Sequence, residues 1–145
     1  MPKYFTLKEL CESDTAKKQG IDNFPTFEIA AHLLELTERL LDPLREAWGN
    51  PIRVTSGYRC TKLNNAVGGV ATSVHKLGWA ADLQDPKGKT EDLIAFARRW
   101  VLLNGIRFDQ LIRETDASGK TVWLHIGLYS PSGSQRGQIL NIVKK

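Results

Sequence analysis

SVHKLGWAADLQ, residues 73–84, joins a glycine-containing loop to a segment in which the residues alternate between two faces. This alternation predicts a strand over 79–84 that carries Asp82 on one face and turns its two apolar neighbours toward a core. The small residues around Gly78 let the preceding loop fold close to the strand. The stretch therefore predicts that His75, in the loop, lies near Asp82.

A second alternating segment, WLHIG at residues 123–127, predicts another strand. Its His125 lies on the face opposite to its apolar neighbours. If the two strands are adjacent, Asp82 and His125 form a cross-strand pair with Cβ atoms about 5 Å apart, close enough to share one ion. Catalytic zinc takes three protein ligands of nitrogen or oxygen type and keeps a fourth position for water, and these two residues with His75 could supply that set.

The rest of the chain predicts helices in the first half and strands in the second. Apolar residues recur at helical spacing over 25–48, although Pro43 should kink or divide that helix. Thr6 with Glu9 forms a capping-box pattern for an earlier short helix. Further predicted elements are a helix over 90–103 and strands over 52–55, 107–115, 121–128 and 138–143. We expect an α+β fold, with a small antiparallel sheet and helices packed on one face.

Composition indicates one domain spanning residues 1–145. The chain has 145 residues, of which 41% are hydrophobic, and this is enough to bury a core without disulfides. Cys11 and Cys60 lie outside any CxxC spacing and are expected to be reduced thiols. The net charge of +4 suits an anionic wall polymer or nucleic acid about equally, so charge alone selects neither.

No stretch is long and apolar enough to span a bilayer, and the amino-terminal MPKYFTLKEL lacks the apolar run of a signal peptide. The expectation is synthesis in the cytoplasm. A substrate outside the membrane would then require another component to release the protein.

Three runs carry a resemblance to a known family: SGYRC at 56–60, SVHKLGWAAD at 73–82 and WLHIG at 123–127. Together they resemble the zinc D-alanyl-D-alanine carboxypeptidases, a family that also contains L-alanyl-D-glutamate endopeptidases. Its S-x-H-x-x-G-x-A-x-D motif supplies a His and an Asp ligand, and its W-x-H motif supplies a second His. The stretches SDTAKKQGIDN at 13–23 and LDPLR at 41–45 also resemble a compact, single-domain branch of that family, so the resemblance spans nearly the whole chain. It implies the hedgehog/DD-peptidase fold and one zinc ion per chain, held by His75, Asp82 and His125.

The same resemblance implies three further site residues. Arg59 of SGYR is similar to the family's arginine that binds a substrate carboxylate or polarises the scissile carbonyl, and a planar, always charged guanidinium suits either task. Ser73 resembles a substrate-binding serine of the family. Trp123 of the W-x-H motif is assigned to the substrate site as well.

The general base departs from the family pattern. Many members carry an acidic residue three positions before the second histidine, and Val122 stands there in this chain. A zinc hydrolase still needs a carboxylate to move a proton from water to the leaving amine. The upstream candidates are Asp109, Glu114 and Asp116.

A hairpin argument separates these three acids. If residues 116–119 form a four-residue loop, Glu114 pairs with Thr121 and is the only candidate on the metal face. Ideal strand geometry then leaves about 13 Å between Thr121 and His125, which would need a bulge or strong twist to close. Glu114 also stands in a QLI-x-E context similar to that of compact family members, and we assign the base to it.

These observations favour a zinc metallopeptidase that hydrolyses D-amino-acid-containing peptide bonds of bacterial peptidoglycan, as an L-Ala-D-Glu endopeptidase or a D-Ala-D-Ala carboxypeptidase. We expect a monomer that binds peptidoglycan peptide and no nucleic acid, and that acts at the wall after release, with a phage or prophage as a possible source. An inactive zinc-bearing module, either wall-binding or part of a phage structure, is the alternative that Val122 keeps open. A basic nucleic-acid-binding domain has only the pI of 9.2 in its favour.

Overall fold

The computed structural model describes residues 2–144, and its early helices begin at the residues that can cap them. Thr6 accepts a hydrogen bond from the backbone of Glu9, whose side chain reaches back to Thr6, so the predicted capping box is confirmed. The helices are α1 (Leu7–Cys11), α2 (Asp14–Gln19), α3 (Phe27–Leu36), α4 (Asp42–Trp48), α5 (Thr61–Ala66) and α6 (Thr90–Leu103). No helix within residues 2–144 is long and apolar enough to cross a membrane.

The long helix predicted over 25–48 is divided ahead of Pro43. Helix α3 ends at Leu36, a π-helical turn spans Thr37–Leu41, and α4 follows with Pro43 in its first turn. Proline is tolerated in the first turn of a helix because the backbone N–H groups there have no acceptor within the helix. The wide π turn before it interrupts the regular hydrogen bonds between residues i and i−4. The division therefore follows from the missing N–H of Pro43.

Within residues 2–144, five strands form one sheet in the order β1-β2-β4-β3-β5. Their bounds are β1 (Arg53–Ser56), β2 (Ala80–Gln84), β3 (Gln110–Thr115), β4 (Val122–Gly127) and β5 (Gln138–Val143). The strand positions match the predicted ones to within a few residues.

The expected antiparallel pairing holds for β1 to β4, but the sheet is mixed, because β5 runs parallel to β3 at one edge. Residues 128–137 connect β4 to β5 and pass the amino-terminal end of β3. Gly137 and Gln138 donate backbone hydrogen bonds to Phe108 and Asp109, which fixes β5 on the far side of β3. Because β4 and β5 are not neighbours, no hairpin joins them, and β5 takes the direction of β3.

The core lies between the sheet and the helices α3, α4 and α6. Inward residues of the strands, among them Leu83, Leu124 and Ile126, join the fully buried leucines of α3 and α4 in one apolar cluster. This confirms the expected α+β class with helices on one face. Since strand residues alternate, the opposite face of β2, β3 and β4 carries the polar side chains of the site.

Candidate metal centre

A short 3-10 turn, Val74–Leu77, places His75 at the sheet. The turn ends at Gly78, whose φ of +75° favours glycine and where an added Cβ would lie 3.0 Å from the backbone oxygen of Ile29. At its start, Ser73 accepts a hydrogen bond from the backbone N–H of His75. The ring of His75 donates through Nδ1 to the carbonyl of Gly57 at 2.8 Å, so its Nε2 is left to face Asp82.

Asp82 and His125 are direct partners on the adjacent strands β2 and β4, as the sequence predicted. The Oδ1 atom of Asp82 lies 3.1 Å from Nδ1 of His125 and 3.3 Å from Nε2 of His75. The two imidazole rings meet edge-on, with centroids 5.2 Å apart, and all three side chains are buried. The structure therefore brings the three predicted ligands together.

The electrostatics of this group favour a carboxylate that stays ionised. Burial alone would raise the pKa of Asp82. The charge of His75 and the hydrogen bonds from both histidines nevertheless hold that pKa well below its usual range. An anionic oxygen thus faces two ring nitrogens at one point of the sheet.

The donor set fits zinc. The candidate ligand atoms of His75, Asp82 and His125 all lie within 4.8 Å of one another, and two nitrogens with one carboxylate oxygen are of the type that zinc enzymes use. The carbonyl of Gly57 fixes the tautomer of His75, as the outer partners of metal-binding histidines do.

Glu114 lies on the same face as this group, although the predicted hairpin register is wrong by two residues. Glu114 pairs with Trp123 and not with Thr121, and residues 116–121 form a six-residue loop. The carboxylate of Asp116 accepts hydrogen bonds from the backbone of Lys120 and Thr121, which closes this longer loop. A shift of two residues leaves Glu114 on the same face of the sheet. Because its partner is Trp123, two residues from His125, the separation of about 13 Å that the predicted register implied no longer applies.

The buried Glu114 carboxylate has three neighbours. Its Oε1 accepts a hydrogen bond from the indole Nε1 of Trp123 at 3.0 Å and lies 3.7 Å from Nδ1 of His125. Its Oε2 lies 3.4 Å from Nζ of Lys144. Glu114 is therefore held next to the candidate ligands by contacts on both carboxylate oxygens.

The other two candidate bases are engaged elsewhere. Asp109 is fully buried, and the guanidinium of Arg136 binds both of its oxygens at 2.8 Å. Asp116 organises the hairpin loop. Of the three acids, Glu114 is the one that lies beside the candidate ligands His75, Asp82 and His125.

Arg59 reaches the site from the segment between β1 and α5. Its backbone N–H donates to the carbonyl of His75, and its guanidinium donates to the hydroxyl of Ser73 at 3.2 Å and more weakly to Ser56. Burial lowers the pKa of Arg59, and the charges of Asp82 and Glu114 oppose that shift. The guanidinium remains charged, since arginine does not deprotonate in proteins.

A cleft of about 320 Å³ opens over these residues. Arg59, Ser73, His75, Glu114 and His125 contribute to its walls, so these predicted site residues share one cavity. Trp123 instead contacts Glu114, and its assignment to substrate binding stays a prediction. Sequence reasoning missed several lining residues, namely Pro131, Arg136, Ile142 and Lys144. The alternation along the last predicted strand was the one available signal for Ile142 and Lys144, but it could not say which neighbour that strand would take.

Comparison with protein families finds a match over most of the chain. The sequence model of the family Peptidase M15 matches residues 3–114, which is more than half of the chain and includes His75, Asp82 and Glu114. A search of curated proteins finds no match. The chain belongs to the Peptidase M15 family, a family of zinc-dependent metallopeptidases.

Proposed function

We propose that this protein is a zinc metallopeptidase that hydrolyses D-amino-acid-containing peptide bonds of bacterial peptidoglycan. The observation that carries the proposal is the meeting of His75, Asp82 and His125 beside the buried carboxylate of Glu114, in a cleft. The preference for D-amino acids rests on the resemblance of the SGYRC, SVHKLGWAAD and WLHIG runs to the zinc D-alanyl-D-alanine carboxypeptidases.

One zinc ion per chain would be held by the three ligands, and when bound it would polarise the scissile carbonyl and acidify a water molecule. Glu114 is positioned to take a proton from the attacking water and to give it to the leaving amine. The indole N–H of Trp123 holds the carboxylate of Glu114 in place for this task.

Arg59 supplies positive charge to the same cleft. Its fork already bonds the hydroxyl of Ser73, so a substrate carboxylate or the oxygen of the scissile carbonyl could be bound by both residues together. A carboxypeptidase would use Arg59 to hold a free carboxylate. An endopeptidase would use it to stabilise the oxygen that gains charge in the transition state.

Metal analysis combined with digestion of purified peptidoglycan tests the proposal. We expect one zinc per chain and release of peptide fragments whose masses identify the bond that is cut. The His75→Ala variant should lose metal and activity together while its far-UV circular dichroism stays unchanged, because the site lies on the face of the sheet away from the core.

Two other outcomes would contradict the proposal. Bound zinc without any fragment release would favour the inactive zinc-bearing module. Full activity in His75→Ala would show that the group formed by His75, Asp82 and His125 takes no part in the reaction. We further propose that the chain works as a monomer of one domain and acts at the wall after release from the cell, and light scattering of the purified protein tests its oligomeric state.

A further inference from the structure

A cationic side chain just after the last strand reaches the cleft on the side away from Arg59. Lys144 follows β5, at one edge of the sheet, whereas Arg59 follows β1, at the other edge. The strands that carry Asp82 and His125 lie between these edges, and both cations line the same cleft. We propose that Lys144 is a specificity-determining residue that binds a carboxylate of the peptide substrate, an inference that rests on the proposed peptidase function.

The partners of the cations in the cleft support this assignment. The guanidinium of Arg136 donates two hydrogen bonds to the buried carboxylate of Asp109, so its charge is already paired within the protein. The fork of Arg59 meets the neutral hydroxyls of Ser56 and Ser73. Among residues 2–144, Lys144 has one ion pair, with Glu114 at 3.4 Å, and its side chain is 52% exposed. Its ammonium can therefore turn toward a ligand in the cleft.

The backbone beneath Lys144 is fixed although its ammonium is exposed. Its N–H donates to the carbonyl of Thr115 at 2.8 Å and extends the parallel pairing of β3 with β5. The parallel register also sets Ile142 beside Glu114, and Ile142 lines the cleft. A rigid backbone with a flexible charged end is suited to selecting a ligand by charge.

Strand spacing limits where the substrate carboxylate can be. Adjacent strands lie about 4.8 Å apart, so β5 is roughly 10 Å from β4, which carries His125. An extended peptide covers that distance in about three residues. The carboxylate should therefore belong to a residue within about three positions of the scissile bond, on the side away from Arg59.

Paired peptides test this assignment. One carries a free carboxylate within about three residues of the bond that the wild-type protein cuts in peptidoglycan, on the side away from Arg59, and the other carries a carboxamide there. Steady-state kinetics are measured for both, and calorimetry measures the Kd of analogues N-methylated at the scissile bond. The variants are Lys144→Met and Lys144→Arg, with Lys120→Met as a control that removes the same charge from the exposed hairpin loop, away from the cleft.

We expect the wild type to prefer the carboxylate peptide. In Lys144→Met, kcat/KM for that peptide should fall about tenfold and the Kd of its analogue should rise about tenfold. Both values should stay unchanged for the carboxamide peptide. Lys144→Arg should keep most of the preference, and Lys120→Met should keep all of it. Equal losses on both peptides, or no loss on either, would overturn the assignment of Lys144 while leaving the peptidase function intact. A zinc-loaded wild type that releases no fragments from peptidoglycan would overturn the proposed function itself, and this inference with it.

Discussion

At the scale of single residues, the site depends on one carboxylate that the family pattern would place elsewhere. Val122 occupies the usual position of the acid, and Glu114 on the neighbouring strand brings its Oε1 to 3.7 Å from the ring of His125. Glu114 pairs with Trp123 on β4, and cross-strand partners share a face, so its carboxylate lies on the same face as His125. The proposed base therefore lies on the strand paired with the one that carries His125, and it remains within the site.

Replacement of Glu114 by glutamine tests its role as the base. Glu114→Gln keeps the size of the side chain and can still accept the hydrogen bond from Trp123, so we expect bound zinc to stay and turnover to fall by about 10² to 10⁴. Metal content and kcat on peptidoglycan fragments give the measurement. Asp116→Asn is the matched control and should keep its activity, because Asp116 lies in the hairpin loop. The reverse pattern would assign the base to Asp116.

Arg59→Lys separates the two kinds of peptidase. An ammonium cannot reproduce the fork that bonds Ser73 and a ligand together. In a carboxypeptidase the variant should raise KM for a free D-Ala-D-Ala peptide, because a ground-state contact is lost. In an endopeptidase it should lower kcat on cross-linked wall fragments, because the lost contact forms in the transition state. Unchanged kinetics on both substrates would exclude Arg59 from the site.

At the scale of elements, the segment after β1 lies close to α1 and connects that helix to His75, one of the candidate metal ligands. The carbonyl of Gly57 accepts the ring N–H of His75, and the next residue, Tyr58, donates its backbone N–H to Leu10 at the end of α1. An added Cβ at Gly57 would lie 2.1 Å from the backbone oxygen of Leu10. The segment after β1 can therefore contact α1 and orient His75 at once only because residue 57 has no side chain.

Gly57→Ala should consequently disturb both stability and metal binding. The clash is with backbone, which cannot rotate away, so we expect a loss of about 3 kcal/mol in the free energy of unfolding and a weaker affinity for zinc. Gly49→Ala is the matched control. Gly49 has a φ of +77° with open space around it, so alanine there should cost only about 1 kcal/mol and leave zinc affinity unchanged. Urea unfolding and zinc titration of both variants check this, and equal effects would refute the coupling.

At the scale of the whole molecule, the sheet separates two tasks. Its inner face packs against α3, α4 and α6 and holds the fold, while its outer face carries the candidate metal centre and the cleft. Because the apolar core does not contain the candidate metal ligands, we expect the fold to persist without a metal.

Removal of the metal tests this separation. A ligand that binds only the folded state at a thousand times its Kd adds about 4 kcal/mol to the free energy of unfolding. For a chain of this size, that corresponds to a Tm roughly 10 °C lower after treatment with a chelator. The far-UV circular dichroism below the transition should not change, and added zinc should restore the Tm. Loss of secondary structure on chelation would show that the metal holds the fold itself.

The sequence by itself determined the α+β class, most helix and strand positions and the identity of the candidate ligands. These properties depend on short-range rules: alternation places Asp82 and His125 on polar faces, a capping box begins α1, and Pro43 interrupts the long helix. Such rules act over a few residues and can therefore be read along the chain.

Only the tertiary structure decided the hairpin register, the direction of β5 and the composition of the cleft. The register depended on the side-chain hydrogen bonds of Asp116, which fixed the length of the loop. The direction of β5 depended on which edge of the sheet was open after β3 and β4 had paired. Lys144 reaches Glu114 because of that parallel pairing, a contact between residues 30 positions apart that no local pattern specifies.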